Sequence, residues 1–192
     1  MRVRNREEYD QRREQIMKTC FNCYAEHGLS VIGIKTVAEA CGCTSGSLYT
    51  YFENLDDLII QSTAYCMGKI ADDFMKQRPK NREDLPRFIE ALPRWAARKY
   101  APQLRLLHQI YTLPKYAQEG RKFFDDVNLR YGKYATGLSK KLGIPVGDLL
   151  PLVIMLVRVS VQFALFGDEY TLVIQLETLK KSAARYLQEL PD

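Results

Sequence analysis

The sequence of 192 residues predicts an all-α protein. Apolar residues recur every three or four positions along most of the chain, which is the spacing of one face of a helix. No segment alternates apolar and polar residues over a length that would indicate a β-sheet, and there is no internal repeat. Prolines and glycines interrupt the helical pattern after residue 84, and these interruptions predict where successive helices end.

The composition is that of a folded chain, with 46% hydrophobic and 27% charged residues. The net charge is +5, yet residues 1–52 hold seven Lys and Arg against six Asp and Glu. Residues 68–141 hold seventeen against eight, so charge alone locates no nucleic-acid site. The N-terminal segment lacks the apolar core of a signal peptide and the chain has five cysteines. Both features predict a cytoplasmic protein.

The first predicted helix carries one apolar stripe and stops at Gly28, since glycine commonly follows the end of a helix. The residues of this stripe are Ile16, Cys20, Cys23, Tyr24 and His27. A short second helix is expected from Ile34 to about Cys41, with Gly33 as its N-cap and with Val37 and Ala38 facing inwards. Gly42 then turns the chain.

The stretch CGCTSGSLYTYF, residues 41–52, predicts a third helix from the N-cap Thr44 through Tyr51. At about 100° per residue, Leu48 and Phe52 share the inner face of this helix. The residues that then face outwards are Gly46, Ser47, Tyr49 and Thr50. Small residues on an exposed first turn let a helix lie deep in the major groove of DNA, and tyrosine hydroxyls can reach phosphates.

A longer helix is predicted to open at Asn54. Its core-facing residues are expected to be Leu58, Ile59, Ala64, Met67 and Ile70. Helix, short helix, glycine turn and short helix is the order of a helix-turn-helix unit with a supporting first helix.

Residues 12–59 resemble the tetracycline-repressor (TetR) family of bacterial transcription regulators. The segments that carry the resemblance are IMKTCFNCYAEHG, TVAEACGCTSGSLYTYF and LDDLI. The resemblance implies a DNA-binding domain of three helices at residues 1–53. It also implies a helical ligand-binding and dimerisation domain at residues 54–192.

The resemblance also implies which residues touch operator DNA. Ser45, Gly46 and Ser47 are expected against base edges, and Tyr49 and Tyr51 against phosphates. The full expected set is Lys35, Thr36, Thr44, Ser45, Gly46, Ser47, Tyr49, Thr50 and Tyr51. Two positions depart from the family, since Gly33 stands where Ser or Thr is usual and Leu55 where Lys is usual. Affinity is therefore expected to depend on Lys35 and on the N-terminal arginines, Arg2, Arg4 and Arg6.

The C-terminal segment has a heptad-like apolar seam, formed by Leu172, Leu176, Leu179, Ala183, Tyr186 and Leu190. With the apolar run 149–166 it predicts a homodimer through the last two helices, arranged as a four-helix interface. The alternative is a core within one chain. The apolar run approaches the length of a membrane span, but it contains Arg158 and Gln162, so a buried bundle helix is favoured and no membrane is expected. A two-fold dimer would read a near-palindromic site in half-sites about 34 Å apart.

The resemblance further implies a small-molecule effector that binds among the C-terminal helices and releases DNA, most simply from a repressor. Polar or aromatic residues within apolar helices are the candidates for this pocket, namely Trp95, His108, Tyr111, Arg158, Gln162 and Phe166. The charge of Arg158 would pair with an internal carboxylate or with an acidic ligand.

Two alternatives remain at this point. Cys41 or Cys43 could make the protein a thiol-based redox regulator, whereas Cys20 and Cys23 fit core packing on the first helix. The other alternative is an all-α enzyme with a structural N-terminal unit, but the sequence has no catalytic motif of the kinds that hold a nucleophile, a phosphate or a metal. With two histidines in the chain, a zinc site is poorly supplied, and no metal or cofactor is expected.

Overall fold

The computed structural model describes residues 3–30 and 32–188, and the side chains of residues 6–30 and 32–186. Within these ranges the regular structure is helical throughout, which confirms the predicted all-α class. The helices are α1 Val3–His27, α2 Ile34–Ala40, α3 Ser45–Leu48, α4 Leu55–Lys76, α5 Leu85–Thr112, α6 Ala117–Leu142, α7 Val146–Phe166 and α8 Glu169–Gln188, with a short 3-10 helix at Pro114–Tyr116.

The chain divides into two compact units. Unit 1 contains Met1–Ile70 and Arg105–Arg121, and unit 2 contains Ala71–Leu104 and Lys122–Asp192. Helices α4, α5 and α6 each contribute residues to both units. The predicted boundary between residues 53 and 54 is a division by function, and it stays a prediction.

The core of unit 1 is built on the apolar stripe of α1, where Ile16, Cys20 and Tyr24 are almost fully buried. His27, which was predicted on this stripe, is exposed, because it ends α1 beside Glu26, with its side chain in solvent. Leu58, Ile59, Met67 and Ile70 of α4 are buried as predicted.

The prediction for Ala64 is wrong, since this residue is exposed and Thr63 is buried in its place. A threonine can occupy the inner face here because its hydroxyl donates to the carbonyl of Ile59 one turn earlier, at 2.7 Å.

Gly42 makes the turn between α2 and α3 by adopting φ +63°, a left-handed conformation that favours glycine. The amide of Gly42 donates to the carbonyl of Glu39 at 2.9 Å, and the amide of Cys43 donates to the carbonyl of Ala38 at 3.0 Å. This pair of bonds is the Schellman arrangement that ends a helix. It fixes the direction in which the chain enters α3.

Helix α3 is shorter than predicted, because it ends at Leu48 instead of Tyr51. Residues 49–51 form a turn, in which the carbonyl of Leu48 accepts from the amide of Tyr51 at 3.0 Å and from the amide of Phe52 at 3.1 Å. Phe52 still packs inside, at 3% exposure, so the predicted inner pair with Leu48 is present.

The prolines of the C-terminal half interrupt the helices less than predicted. Helix α5 runs through Pro93 and Pro102, and α7 runs through Pro151. Each proline removes one backbone donor. The apolar face of α5 is nevertheless buried along its length, and this packing stabilises the helix across the missing hydrogen bonds.

The core of unit 2 contains α7 packed against α8. The heptad-like seam of α8 is used within the chain, since Leu172, Leu176, Leu179 and Ala183 are at most 2% exposed. Its expected use as the dimer surface is therefore corrected: these side chains are already covered by their own chain. Leu190 lies outside the described residues.

Helix α7 is the one described helix long and apolar enough to cross a membrane by length and composition alone. Six of its residues are buried, and four of them, Leu149, Val153, Leu156 and Val159, belong to the core of unit 2. A core helix with this composition passes the same test, so α7 gives no reason to place the chain in a membrane.

Candidate functional site

The first turn of α3 is a rigid exposed surface made of small residues. The amide of Ser47 donates to Oγ1 of Thr44 at 3.2 Å, which confirms Thr44 as the N-cap. The hydroxyls of Thr44 and Ser47 lie 2.9 Å apart, and the hydroxyl of Thr50 donates to the carbonyl of Ser47 at 2.7 Å. Leu48 is fully buried beneath them. These bonds and this anchor fix the outer face of α3 in one conformation.

Gly46 is exposed at the centre of this surface. A Cβ atom at this position would meet nothing closer than Oγ1 of Thr44, at 3.8 Å, which is an ordinary contact. The packing of the chain itself therefore does not require glycine at residue 46. The absence of a side chain leaves room for close approach of another molecule to α3.

The two tyrosines after α3 differ in exposure. Tyr49 is 48% exposed, and its hydroxyl has no hydrogen-bond partner among the described residues. Tyr51 is half-buried, because its ring stacks on Tyr9 of α1 with the ring centroids 4.7 Å apart. Both rings flank the small surface of α3.

Lys35 and Thr36 lie at the start of α2, and both side chains are exposed. Gly33 is the N-cap of α2 and offers no side-chain hydrogen bond, so the first amides of this helix lack a side-chain partner there. Of the N-terminal arginines, Arg6 is exposed, while Arg2 and the side chain of Arg4 lie outside the described residues.

Sequence reasoning missed two residues of α1 that hold this region in place. The hydroxyl of Tyr9 donates to the carbonyl of Thr50 at 3.3 Å, in addition to the ring stack on Tyr51. The guanidinium of Arg12 donates to the carbonyl of Cys41 at 2.7 Å, at the end of α2. A signal for Tyr9 was present, because it precedes Ile16 by two helical turns and so lies on the same face of α1.

We expect Tyr9→Ala to weaken operator binding, because Tyr51 loses the ring that orients it. Aromatic pairs contribute about 0.5–1.5 kcal/mol, which corresponds to roughly a two- to twelvefold loss of affinity for each DNA-binding domain. Fluorescence anisotropy with a labelled duplex would measure this loss. Tyr9→Phe keeps the stack and serves as the control, so an equal loss in Tyr9→Phe would assign the effect to the hydroxyl.

The cysteines of unit 1 are mostly buried within the apolar packing. Burial raises the pKa of the Cys41 thiol to about 11, and it raises the pKa of Cys20 to about 12. The reactive form of cysteine is the thiolate, which is scarce at neutral pH when the pKa is so high. Cys41 is therefore poorly suited to sense an oxidant. Cys43 is half-buried beside the turn.

The six predicted effector residues are divided between the two units. His108 and Tyr111 belong to unit 1, while Trp95 belongs to unit 2 and packs edge-on against Phe74 at 5.3 Å. The other three residues, Arg158, Gln162 and Phe166, are exposed on α7. Arg158 lies on the exposed face of α7, and its pairing with an internal carboxylate or an acidic ligand stays a prediction. Grouping all six in one ligand site stays a prediction.

A narrow apolar cavity of about 30 Å³ lies within unit 2, and none of the six residues lines it. Its only polar lining group is Tyr134, whose hydroxyl already donates to the carbonyl of Gln77. The lining residues are Phe74, Met75, Leu85, Phe88, Ile89, Leu92, Tyr134, Leu138, Leu149, Leu152, Val153, Leu156, Val157 and Leu179. The volume is that of a single water molecule, so a larger ligand has to push these side chains apart.

Comparison with known proteins agrees with the geometry of α1 to α3. Residues 16–61 match the family described as bacterial regulatory proteins, tetR family. The chain is 26% identical over 78 residues to YerO, an uncharacterized HTH-type transcriptional regulator of Bacillus subtilis (strain 168). That match covers 37% of this chain and 27% of YerO, so the chain spans about a quarter of the relative's length.

Solved structures share the whole fold. GusR of Salmonella enterica superimposes with a TM-score of 0.66 at 16% identity, covering 93% of this chain and 96% of GusR. FadR of Thermus thermophilus, a TetR family transcriptional repressor in complex with lauroyl-CoA, gives a TM-score of 0.57 at 13% identity, covering 94% of this chain and 97% of FadR. Residues 16–61, which include the capped helix α3, therefore match the tetR family of regulatory proteins, and the solved structures show that the chain shares their fold.

Proposed function

We propose that this protein is a cytoplasmic, homodimeric repressor that binds a near-palindromic operator and releases it when a small molecule binds to its helical region. The DNA-binding part of this proposal rests on the exposed face of α3, which consists of small residues held in one conformation and in which Gly46 has no role in the packing of the chain. Base edges would meet Ser45, Gly46 and Ser47, as the family resemblance implies. Exposed groups beside them, including Lys35, would contact phosphates.

The dimer would form through an apolar face of α7 and α8 that the chain itself leaves uncovered. Monomeric surfaces seldom expose so many large apolar residues on neighbouring helices. The exposed residues of this dimer face are Met155, Phe166, Tyr170, Val173 and Ile174, at 48%, 73%, 78%, 50% and 51% exposure. Arg158 and Gln162 lie on the same side of α7, at helical spacing from Met155 and Phe166. The proposed dimer thus uses the predicted pair of helices, α7 and α8, but through the side of α8 opposite to the predicted seam.

The effector would be an apolar molecule. The cavity of unit 2 presents hydrocarbon from five helices, and its single hydroxyl is already bonded. A buried ligand charge would find no partner there and would cost several kcal/mol. This favours an apolar chain or ring system over the acidic ligand first considered for Arg158. Thermus thermophilus FadR, which has the same fold, is in complex with lauroyl-CoA, a ligand that carries such a chain.

Effector binding would be transmitted to the DNA-binding helix α3 through contacts within unit 1. Lys115 and Tyr116 of the 3-10 helix both bond to the carboxylate of Asp56 in the first turn of α4, and Lys115 lies 2.7 Å from it. The hydrogen bond from Lys115, followed by that from Tyr116, lowers the pKa of Asp56. Because α4 begins shortly after α3, a shift of this 3-10 helix would move α4 and α3 together.

Selection of bound duplexes from a random DNA library tests the proposal. We expect enrichment of a palindromic sequence with half-site centres about one helical turn apart, or a multiple of that distance. The logarithm of affinity should fall steeply with the logarithm of salt concentration, by about 0.9 for each phosphate contact. A duplex with one half-site scrambled is the control. Enrichment of no sequence, or of a single unrepeated half-site, would contradict a dimeric reader.

The selected duplex then tests the effector class. Apolar compounds such as long acyl chains are expected to dissociate the complex, and short acids without an apolar chain are expected to leave it intact. Dissociation by the short acids alone would contradict an effector site in the apolar cavity.

A further inference from the structure

A basic groove of about 640 Å³ lies on the surface of unit 2, between α5 and α8. Six of its seven lining residues lie in the stretch 68–141, where the excess of Lys and Arg is concentrated and which the DNA-binding surface of α3 leaves unexplained. The residues that line this basic groove are Pro86, Arg87, Glu90, Ala91, Arg94, Arg98 and Lys180. Four cationic side chains thus face one carboxylate in a concavity the size of a small-molecule site.

Two of the four cations are tied to carboxylates. Arg94 lies 3.0 Å from Glu169, and Lys180 lies 3.0 Å from Glu90, so each of these pairs links α5 to α8. Lys180 also lies 2.6 Å from Glu177 of α8. These ion pairs fix the walls of the basic groove and hold its two inner cations in place. Exposed pairs of this kind contribute little to stability, and their charges remain available to a stronger anion.

The other two cations have no such partner. Arg87 and Arg98 are exposed, and neither contacts a carboxylate in the described part of the chain. Arg87, Arg94 and Arg98 are spaced seven and four residues apart, so they project from one side of α5 over about 16 Å. Like charges four residues apart on a helix repel one another. A bound anion would relieve that repulsion between Arg94 and Arg98.

The basic groove is separate from the apolar cavity. The residues of α5 that line the cavity, such as Leu85, Ile89 and Leu92, lie on the side of the helix opposite to the arginines. A single ligand with an apolar chain in the cavity and an anionic head in the groove would have to pass through α5. A ligand of the basic groove would therefore be distinct from the effector proposed for the cavity.

We propose that the basic groove binds a phosphorylated small molecule that carries two or more phosphate groups. Guanidinium groups match the geometry of phosphate oxygens with paired hydrogen bonds, and three of them line this groove. The lining contains no aromatic side chain on which a nucleobase could stack. The phosphate groups alone are thus recognised, whatever they are attached to.

Isothermal titration of the full-length, DNA-free protein with sodium tripolyphosphate and with ATP, both without magnesium, tests this site. We expect both probes to bind with similar affinity and each arginine change to weaken binding about tenfold, since charge-assisted hydrogen bonds are lost. The test variant is Arg87→Gln with Arg98→Gln. The control is Arg121→Gln with Lys133→Gln, which removes the same charge from exposed positions of α6 outside the groove.

Three results would overturn the proposal. Tripolyphosphate could fail to bind, ATP alone could bind, or the control pair could weaken binding as much as the test pair. Arg98→Lys adds a variant that keeps the charge but loses the guanidinium fork, and a loss intermediate between wild type and Arg98→Gln is expected. Because no operator is used, failure here leaves the proposed repressor function untouched.

Discussion

Replacing Tyr49 by phenylalanine is expected to weaken operator binding by about 100-fold while leaving the protein folded. A hydrogen bond to a charged group such as phosphate contributes about 1.5 kcal/mol at the low end. The two DNA-binding domains of a dimer would each lose one such hydrogen bond. The total of about 3 kcal/mol corresponds to roughly two factors of ten in affinity. The free hydroxyl of Tyr49 has no bond to lose within the described chain, so the melting temperature should not change. Anisotropy titrations at fixed salt would give the affinity.

Two features separate this result from a general disturbance of the protein. Phosphates carry no sequence information, so Tyr49→Phe should weaken operator and non-operator duplexes by the same factor. Tyr65→Phe is the control, because it removes a hydroxyl on α4 that donates to Glu14 at 2.6 Å and has no proposed DNA contact. A selective loss for the operator would mean that Tyr49 reads bases, and a loss equal to that of Tyr65→Phe would remove Tyr49 from the DNA surface.

The helix-turn-helix unit was predictable because its determinants are local. Gly42 sets a left-handed turn, Thr44 caps the next helix, and Leu48 with Phe52 anchors it, and each of these roles follows from residue type and spacing. The end of α3 was not predictable in the same way. The turn at residues 49–51 leaves the inner positions Leu48 and Phe52 unchanged, so the apolar pattern does not show where the helix ends.

The C-terminal half was less predictable, since α7 and α8 carry apolar residues on both their buried and their exposed sides. The seam of α8 through Leu172 and Leu176 and the exposed pair Val173 and Ile174 have similar hydropathy, and only packing tells which of them lies inside. Periodicity likewise could not reveal that α5 continues through Pro93, because burial along the whole helix decides that outcome. The polar residues of α7, such as Arg158, were read as pocket residues, whereas the cavity is lined by hydrocarbon.

Ile174→Asp is expected to dissociate the dimer. Ile174 is 51% exposed, so a carboxylate there costs the isolated protomer little. On the proposed dimer face the two copies would bury unpaired charges near the two-fold axis, at roughly 3–5 kcal/mol for a charge without a partner. The dimer dissociation constant should therefore rise by at least about a hundredfold. Sedimentation equilibrium over a range of protein concentrations would measure it.

The same substitution should reduce operator affinity strongly, because a monomer reads one half-site and loses the gain from binding both at once. Leu129→Asp is the matched control, since Leu129 is an apolar residue with 69% exposure that belongs to α6 and not to the proposed dimer face. This control should remain dimeric and bind the operator as the wild type does. A dimeric Ile174→Asp protein would exclude the dimer face, and dissociation by Leu129→Asp instead would place the subunit contact on α6. Covalent crosslinking of the Ile174→Asp protein should restore operator affinity if dimerisation is the only function lost.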